Sequence, residues 1–290
     1  MVTPKQVKMQ SNTHCKRIRR NSLFMSEVLY LHDSVTDIHY LEQGQGPPLL
    51  LLHGNGADAK LYLPLIQTLA RHFRVVAPDL PGFGRSPARE SRQMAGYVAE
   101  LELFINRQLR QPYHLMGHSM GGYLAYQLML RKRTMPITRA VWMEAGIFNL
   151  DWKLALALQP YGLAHRFKKH NRAHVEDRLR EWCWNYDQSD PVFREDFIAS
   201  YFKSNRHVQG MLMAGAAELL PYRFDQISEP VLCLRGEKEQ LLSRQTDWFA
   251  PLLPQGQRVV IPQAGHFLLG DNDAVLEQEI LTFLRYTEAV

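Results

Sequence analysis

The sequence predicts an α/β fold, a mostly parallel, doubly wound sheet that carries a helical insertion. Three observations lead there. Short apolar runs bounded by Pro or Gly recur along the chain, among them Leu49-Leu50-Leu51-Leu52 and Val75-Val76-Ala77. Unbroken apolar runs of this length suit strands buried on both faces, as in parallel sheets. Between them lie stretches with apolar residues at helical spacing, and strand–helix alternation places helices on both faces of such a sheet. The alternation stops from about residue 147 to 226 and then resumes, which marks an insertion.

A chain of 290 residues is long enough for one large α/β domain with an insertion. Its apolar fraction of 46% and charged fraction of 22% are those of an ordinary globular protein. The net charge of +5 is unevenly placed. Residues 1–24 hold Lys5, Lys8, Lys16, Arg17, Arg19 and Arg20 and no Asp or Glu, a charge of +6, which leaves −1 for residues 25–290. The body is near neutral and gives no case for nucleic-acid binding. The leader lacks the apolar run of a secretory signal. It reads as a disordered tail, a transit-like targeting segment or an over-extended start with Met25 as the initiator. No run of about 18 apolar residues exists, so no membrane span is expected. Cys15, Cys183 and Cys233 are odd in number and form no Cys-x-x-Cys pair, so neither a disulfide framework nor a zinc site is indicated. A cytoplasmic protein, monomer or homodimer, fits this composition.

In chain order, Glu27–His32 and Asp37–Glu42 read as two strands forming an antiparallel edge. Leu49–Leu52 is a buried strand, followed by a helix from about Lys60 to His72 with apolar residues at Leu61, Leu65, Leu69 and Phe73. The strand Arg74–Ala77 runs into the Pro/Gly-rich loop Asp79-Leu80-Pro81-Gly82-Phe83-Gly84. Tyr97, Val98, Leu101, Phe104, Ile105 and Leu109 line a second helix. A strand then leads to Ser119, with a helix through about Leu130 and a strand at Ala140–Glu144. The interval 147–226 is rich in aromatics, and Val175, Leu179, Trp182 and Tyr186 show helical spacing there. A structureless loop of roughly 80 residues is improbable, so helices are expected. The sheet resumes at Val231–Arg235, with a helix near Gln245–Leu253, a strand at Arg258–Ile261 and a closing helix at about Ala274–Arg285.

The chemistry centres on Gly117-His118-Ser119-Met120-Gly121, between a short strand and a helix. A serine on such a turn has its hydroxyl exposed at the top of a sheet, and the flanking glycines admit the crowded backbone. The following helix aims its N–H groups and positive dipole end at the place where an oxyanion would form. A serine hydroxyl is a weak nucleophile without an adjacent base. Of the 12 histidines, His266 has the right setting: it follows the last strand, in a Gly-His-Phe turn. His53 and His118 are its rivals, and packing or hydrogen-bonding roles are expected for both.

His53-Gly54-Asn55-Gly56, Asp79 to Ser86, Gly117 to Gly122, Pro230 to Gly236 and Gly265-His266 occur in the order, and at the strand ends, found in the α/β-hydrolase fold family. Over residues 26–290 the chain resembles that family, with a serine nucleophile as in its esterases. With the basic leader taken as residues 1–25, the resemblance implies hydrolase core over 26–146 and 227–290 and a helical cap over 147–226 that sets substrate choice. It implies the order Ser119, acid, His266. The acid is expected a few residues beyond Val231–Arg235, where Glu239 stands in place of the usual Asp. Glu144, after Trp142-Met143, is the alternative acid, because dehalogenase-like relatives place theirs there. The resemblance puts the oxyanion hole at the backbone amides of Asn55 and Met120. Lys168, Lys169, His170 and Arg172 form a basic cluster, expected as a solvated face, with contact to an acidic substrate as the lesser alternative.

The function expected is a serine hydrolase that cleaves a carboxylic ester or related acyl substrate through an acyl-enzyme, with no cofactor and no metal. A C–C bond hydrolase, a haloperoxidase or an acyltransferase on the same fold is an alternative, as is a non-catalytic ligand-binding protein. Haloalkane dehalogenase and epoxide hydrolase chemistry needs an Asp nucleophile, and position 119 is Ser.

Overall fold

The computed structural model describes residues 27–88, 94–131, 135–147, 171–215, 222–239 and 245–285. The basic leader, and Lys168, Lys169 and His170 of the basic cluster, lie outside these residues.

Eight strands form one sheet: β1 (Leu29–Asp33), β2 (Ile38–Gln43), β3 (Pro48–Leu52), β4 (Arg74–Pro78), β5 (Tyr113–His118), β6 (Ile137–Met143), β7 (Val231–Gly236) and β8 (Gly256–Ile261). Their order is β1-β2-β4-β3-β5-β6-β7-β8. The β1–β2 and β2–β4 pairs are antiparallel and the other five are parallel. The two edge strands expected at the start are therefore present.

The unbroken apolar runs alternate between faces, as a period of two requires. Leu50, Leu52, Val76, Leu115, Trp142 and Cys233 pack on one side, and Leu49, Leu51, Val75, Met116, Val141 and Leu232 on the other. The first side is covered by α2 (Met94–Gln108), α3 (Met120–Met129) and Phe249 of α7 (Gln245–Phe249). The second is covered by α1 (Leu63–Leu69) and α8 (Asp273–Arg285). This is the doubly wound arrangement expected.

The insertion contributes α4 (Arg172–Trp182), α5 (Pro191–Lys203) and α6 (Arg206–Gly215). Asn171 caps α4 by accepting from the His174 N–H, and Asp190 caps α5 by accepting from the Val192 N–H. Tyr186 does not share α4 as the spacing suggests, because the backbone turns extended at Cys183 (ψ 152°). The helix expected from Lys60 to His72 is two pieces, a 3-10 turn at Ala59–Tyr62 and then α1. Pro64 explains the break: it has no N–H to give a preceding turn, so it sits in the first turn of a new helix. Pro251 divides the Gln245–Leu253 segment in the same way, into α7 and a 3-10 turn.

Strand order positions the site. After β3 the chain moves outward to β4 and returns to the other side of β3 as β5. Ligands in open α/β sheets bind where the order reverses, outside the carboxyl ends of the strands. Leu52 of β3 is level with Gly117 of β5, and His118 with Met143 of β6. Met143 is level in turn with Leu234 of β7. His53-Gly54-Asn55, Ser119, Glu144 and the loop after Gly236 thus emerge side by side.

Candidate active site

Ser119 lies between β5 and α3 with φ 51° and ψ −114°, a left-handed backbone that an L-residue adopts only at a cost of order 1–3 kcal/mol. Its N–H donates to the Met143 carbonyl (2.8 Å), and its carbonyl accepts from Gly146 N–H (2.7 Å) and Tyr123 N–H (3.2 Å). These bonds hold the turn in place. The flanking glycines are required by contact: a Cβ on Gly117 would lie 2.2 Å from the Gly121 carbonyl oxygen, and one on Gly121 would lie 2.1 Å from that of Leu52. The Gly54 loop also approaches the turn, though less closely: a Cβ there would lie 3.3 Å from Ser119 Cβ. Among the described residues, no acceptor takes the amide N–H of Asn55 or of Met120.

His266 and Glu239 are both buried, and His266 Nδ1 donates to Glu239 Oε2 at 3.0 Å. With the proton of a neutral imidazole on Nδ1, Nε2 is left as the basic atom. The His266 backbone is clamped from two sides. Its N–H donates to the Trp182 carbonyl (2.7 Å), and its carbonyl accepts from His118 Nε2–H (2.9 Å). His118 immediately precedes Ser119, and its ring lies 5.0 Å from that of His266.

The alternative acid is close by. Glu144 is fully buried at the end of β6 with φ 43°. One of its oxygens, one of Glu239's and a ring nitrogen of His266 all lie within 4.8 Å of one another. Glu144 Oε1 accepts from the Gly236 N–H, while Oε2 has no hydrogen-bond partner among the described residues. Burial, and then the nearby Glu239, push the Glu144 carboxyl well above the usual carboxylate range. The hydrogen bond to His266 belongs to Glu239, and the carboxyl of Glu144 sits beside that pair.

The two rival histidines are bonded into the frame, as expected. His118 must carry its proton on Nε2, because its partner there is a carbonyl. Nδ1 then accepts from the Tyr62 hydroxyl (2.7 Å), and that oxygen accepts in turn from Gly54 N–H (3.3 Å). Burial, followed by the proximity of His266, pushes His118 down to about 3. His53 donates from Nδ1 to the Gly54 carbonyl (2.8 Å) and accepts at Nε2 from Leu80 N–H (2.9 Å). Burial holds it down to about 4. Both rings are neutral near pH 7, and both brace loops around Ser119.

The helical segment reaches the site through named contacts. The Trp182 ring lies 5.7 Å from His266, and Phe193 and Phe197 pack on Phe267. Tyr201 covers Gly56, and Asn55 Nδ2 reaches the Gln209 carbonyl at 3.5 Å. Asp271 ties the two sides together, accepting from both Gly265 N–H and Trp184 N–H at 2.9 Å. Among the described residues one other trio of donor atoms lies within metal-sharing reach, His32, Asp37 and His39 on the β1–β2 hairpin, where His32 Nε2 is bonded to Asp37 (2.8 Å).

Residues 47–273 match the alpha/beta hydrolase fold. The chain belongs to this family. Over 250 residues it is 25% identical to the pimeloyl-[acyl-carrier protein] methyl ester esterase of Nitrosomonas europaea, covering 80% of this chain and 93% of that protein. A stretch of 88 residues is 44% identical to the esterase of the same name from Aeromonas salmonicida. That stretch takes in 30% of this chain and spans about a third of the Aeromonas protein (34%). Among solved structures, a hydrolase from Pseudomonas aeruginosa superposes with a TM-score of 0.76 at 19% identity, over 95% of this chain and 99% of that one. This last likeness concerns the fold.

Within this α/β hydrolase, sequence reasoning overlooked Tyr62 and Trp182 as site residues. Tyr62 carries no motif, and its lying eight residues after Gly54 points to nothing by itself. Trp182 was expected among the insertion's own aromatics, and its contact with His266 depends on how two distant loops meet.

Proposed function

We propose that the chain is a serine hydrolase that cleaves a carboxylic ester or a related acyl substrate through an acyl-enzyme. The observation that carries this is the buried His266–Glu239 hydrogen bond of 3.0 Å, clamped beside the strained Ser119 turn. In this reading Ser119 Oγ attacks the substrate carbonyl, and His266 Nε2 takes its proton. Glu239 holds the imidazole in the tautomer with Nε2 free and stabilises the imidazolium that forms. The Met120 and Asn55 amides, which have no competing acceptor among the described residues, receive the developing oxyanion; losing one such donor typically costs roughly 10²–10³ in rate. His266 then protonates the leaving alkoxide. It next activates a water that attacks the acyl-enzyme, which releases the acid and restores Ser119.

Support for an ester comes from the Nitrosomonas protein, whose name is that of a methyl ester esterase and which matches most of this chain. Helices α4 to α6 act as the cap, bringing Trp182 and Tyr201 over the site to form the wall against which a small-molecule acyl group lies. Among the described residues no helix is long and apolar enough to cross a membrane. Cys183 and Cys233 are buried free thiols, in keeping with the cytoplasm expected from the sequence.

A series of p-nitrophenyl esters of increasing acyl length tests the reading. It expects turnover with a stoichiometric burst of p-nitrophenol where deacylation is slower than acylation. No hydrolysis of any ester in the series, with tight binding of the uncleaved compounds, would overturn it in favour of a ligand-binding protein.

A further inference from the structure

Two buried glutamates meet one histidine in this site, and the proposed mechanism uses one of them. We propose that Glu144 is a positioning residue, held as a neutral carboxylic acid that donates its proton to Glu239 and so aims the single charged carboxylate at His266. The inference rests on the serine-hydrolase reading above.

Three observations carry it. The first is the proximity of the three groups, within 4.8 Å of one another in a fully buried setting. Two carboxylates so placed cannot both be charged without a large electrostatic cost, so the pair shares a proton. The second is the division of partners. Glu239 has the positively polarised His266 Nδ1–H, whereas Glu144 has one backbone donor, Gly236 N–H. The proton therefore belongs on Glu144. The third is Oε2 of Glu144, buried without a hydrogen-bond partner among the described residues. As a carboxylate oxygen it would be orphaned, at a desolvation cost; as a protonated one it becomes a donor, and the Glu239 carboxylate is an acceptor in the same cluster.

The other charged groups around Glu144 do not reverse this. Arg235 on β7 favours ionisation, but its guanidinium is paired with Asp247 of α7 at 3.3 Å, and Asp247 itself opposes a charge on Glu144. Burial and Glu239 act in the same direction, against ionisation. The backbone is in keeping with a functional placement: Glu144, like Ser119, is a non-glycine residue with positive φ, and its N–H is fixed to the Leu234 carbonyl (2.9 Å).

The test uses the full chain and three variants. Glu144→Leu removes the donor and is expected to lower kcat about tenfold or more, with KM little changed, the effect of losing one hydrogen bond to a charged group. Glu144→Gln is expected to recover most of that loss, because its amide N–H donates to Glu239 in place of the acid proton. It should also leave the acid limb of kcat/KM at the wild-type pH. Infrared difference spectroscopy of wild type against Glu144→Gln should show the carbonyl stretch of a protonated carboxylic acid near pH 7, assigned to Glu144. An acid limb that moves to lower pH in Glu144→Gln would mean that a negative charge had been removed from beside His266, and would overturn the proposal. Wild-type kcat in Glu144→Leu would overturn it as well, and so would a missing infrared band. Should Glu144→Leu fail to fold, the Gln profile and the infrared band still decide. Glu239→Gln, labelled with a fluorophosphonate beside wild type, separates the two claims. Loss of labelling in wild type defeats the serine-hydrolase reading, whereas the infrared band reports Glu144 independently of turnover.

Discussion

Asp79 and Glu144 are both carboxyl residues with no exposed surface at the carboxyl ends of strands in one sheet, yet they are treated differently by their surroundings. Asp79 accepts from Ala59 N–H (2.9 Å), Arg85 N–H (3.0 Å) and the Tyr30 hydroxyl (3.3 Å), so both of its oxygens are occupied. Glu144 accepts from one backbone N–H and keeps one oxygen unpartnered among the described residues. Burial raises both carboxyls. Each also has a carboxylate neighbour that raises it further, Asp58 for Asp79 and Glu239 for Glu144; the three donors around Asp79 pull against this and leave the group at about 6, whereas Glu144, with one hydrogen-bond donor, goes well above the carboxylate range. The contrast teaches what each carboxyl is for. A fully bonded one fastens the loop from Asp79 to Ser86 to the turn at Ala59. An under-bonded one next to a histidine is held where its protonation state matters.

The sharpest break between the two regions is in rate. Ser119→Ala should lower kcat by at least about 10⁴-fold in an ester assay while leaving the melting temperature close to wild type. Glu239→Gln comes next. Loss of the charge behind His266 should reduce kcat by roughly 10²–10⁴-fold, again with little change in stability. Asp79→Asn should do the opposite. It is expected to cost about 2–4 kcal/mol of stability in a denaturant titration, with kcat per folded molecule retained, because the Asn side chain keeps one acceptor oxygen and turns its NH2 toward an N–H donor that a carboxylate oxygen satisfies in the wild type. A large kcat loss in stable Asp79→Asn protein would mean that Asp79 serves the chemistry and not only the loop.

The smallest effect is in the pH dependence of stability. His118 and His53 are held at about 3 and about 4, below the ordinary value of 6.5. A group whose folded value is depressed contributes stability that is present above 6.5 and lost as pH falls toward 4 and below. Asp79 and Asp271, raised from 3.8 to about 6, act with the opposite sign: their contribution is present below 3.8 and is lost as pH rises through about 6. The net slope mixes both, so the informative quantity is a difference. Thermal unfolding of His118→Gln between pH 6.5 and 4 should show a decline shallower than wild type by one proton's worth. Parallel curves would mean that His118 is not a buried neutral ring.

Much of the site was legible in the sequence because its signals are local. Leu49–Leu52 has to be a buried strand, and Gly117 and Gly121 reveal a turn that no larger residue could make. His266 follows from its position after the last strand. The choice between Glu239 and Glu144 was not legible, and the reason is geometric. The two residues lie 95 positions apart in the chain and emerge from neighbouring strands, so both end within reach of one imidazole. A reading that seeks one acid does not foresee two carboxyls beside one imidazole. Tyr62 was missed for a related reason. Its hydroxyl joins Gly54 N–H to His118 Nδ1 across three chain segments, and none of them signals it alone.

Whether Ser119 is the activated nucleophile can be read by peptide mapping. Full-length protein would be treated with a fluorophosphonate, digested and read by mass spectrometry. One adduct on the peptide containing Ser119, formed markedly more slowly in Glu239→Gln, is the result expected. No adduct, or one confined to another serine, would mean that Ser119 is not the nucleophile.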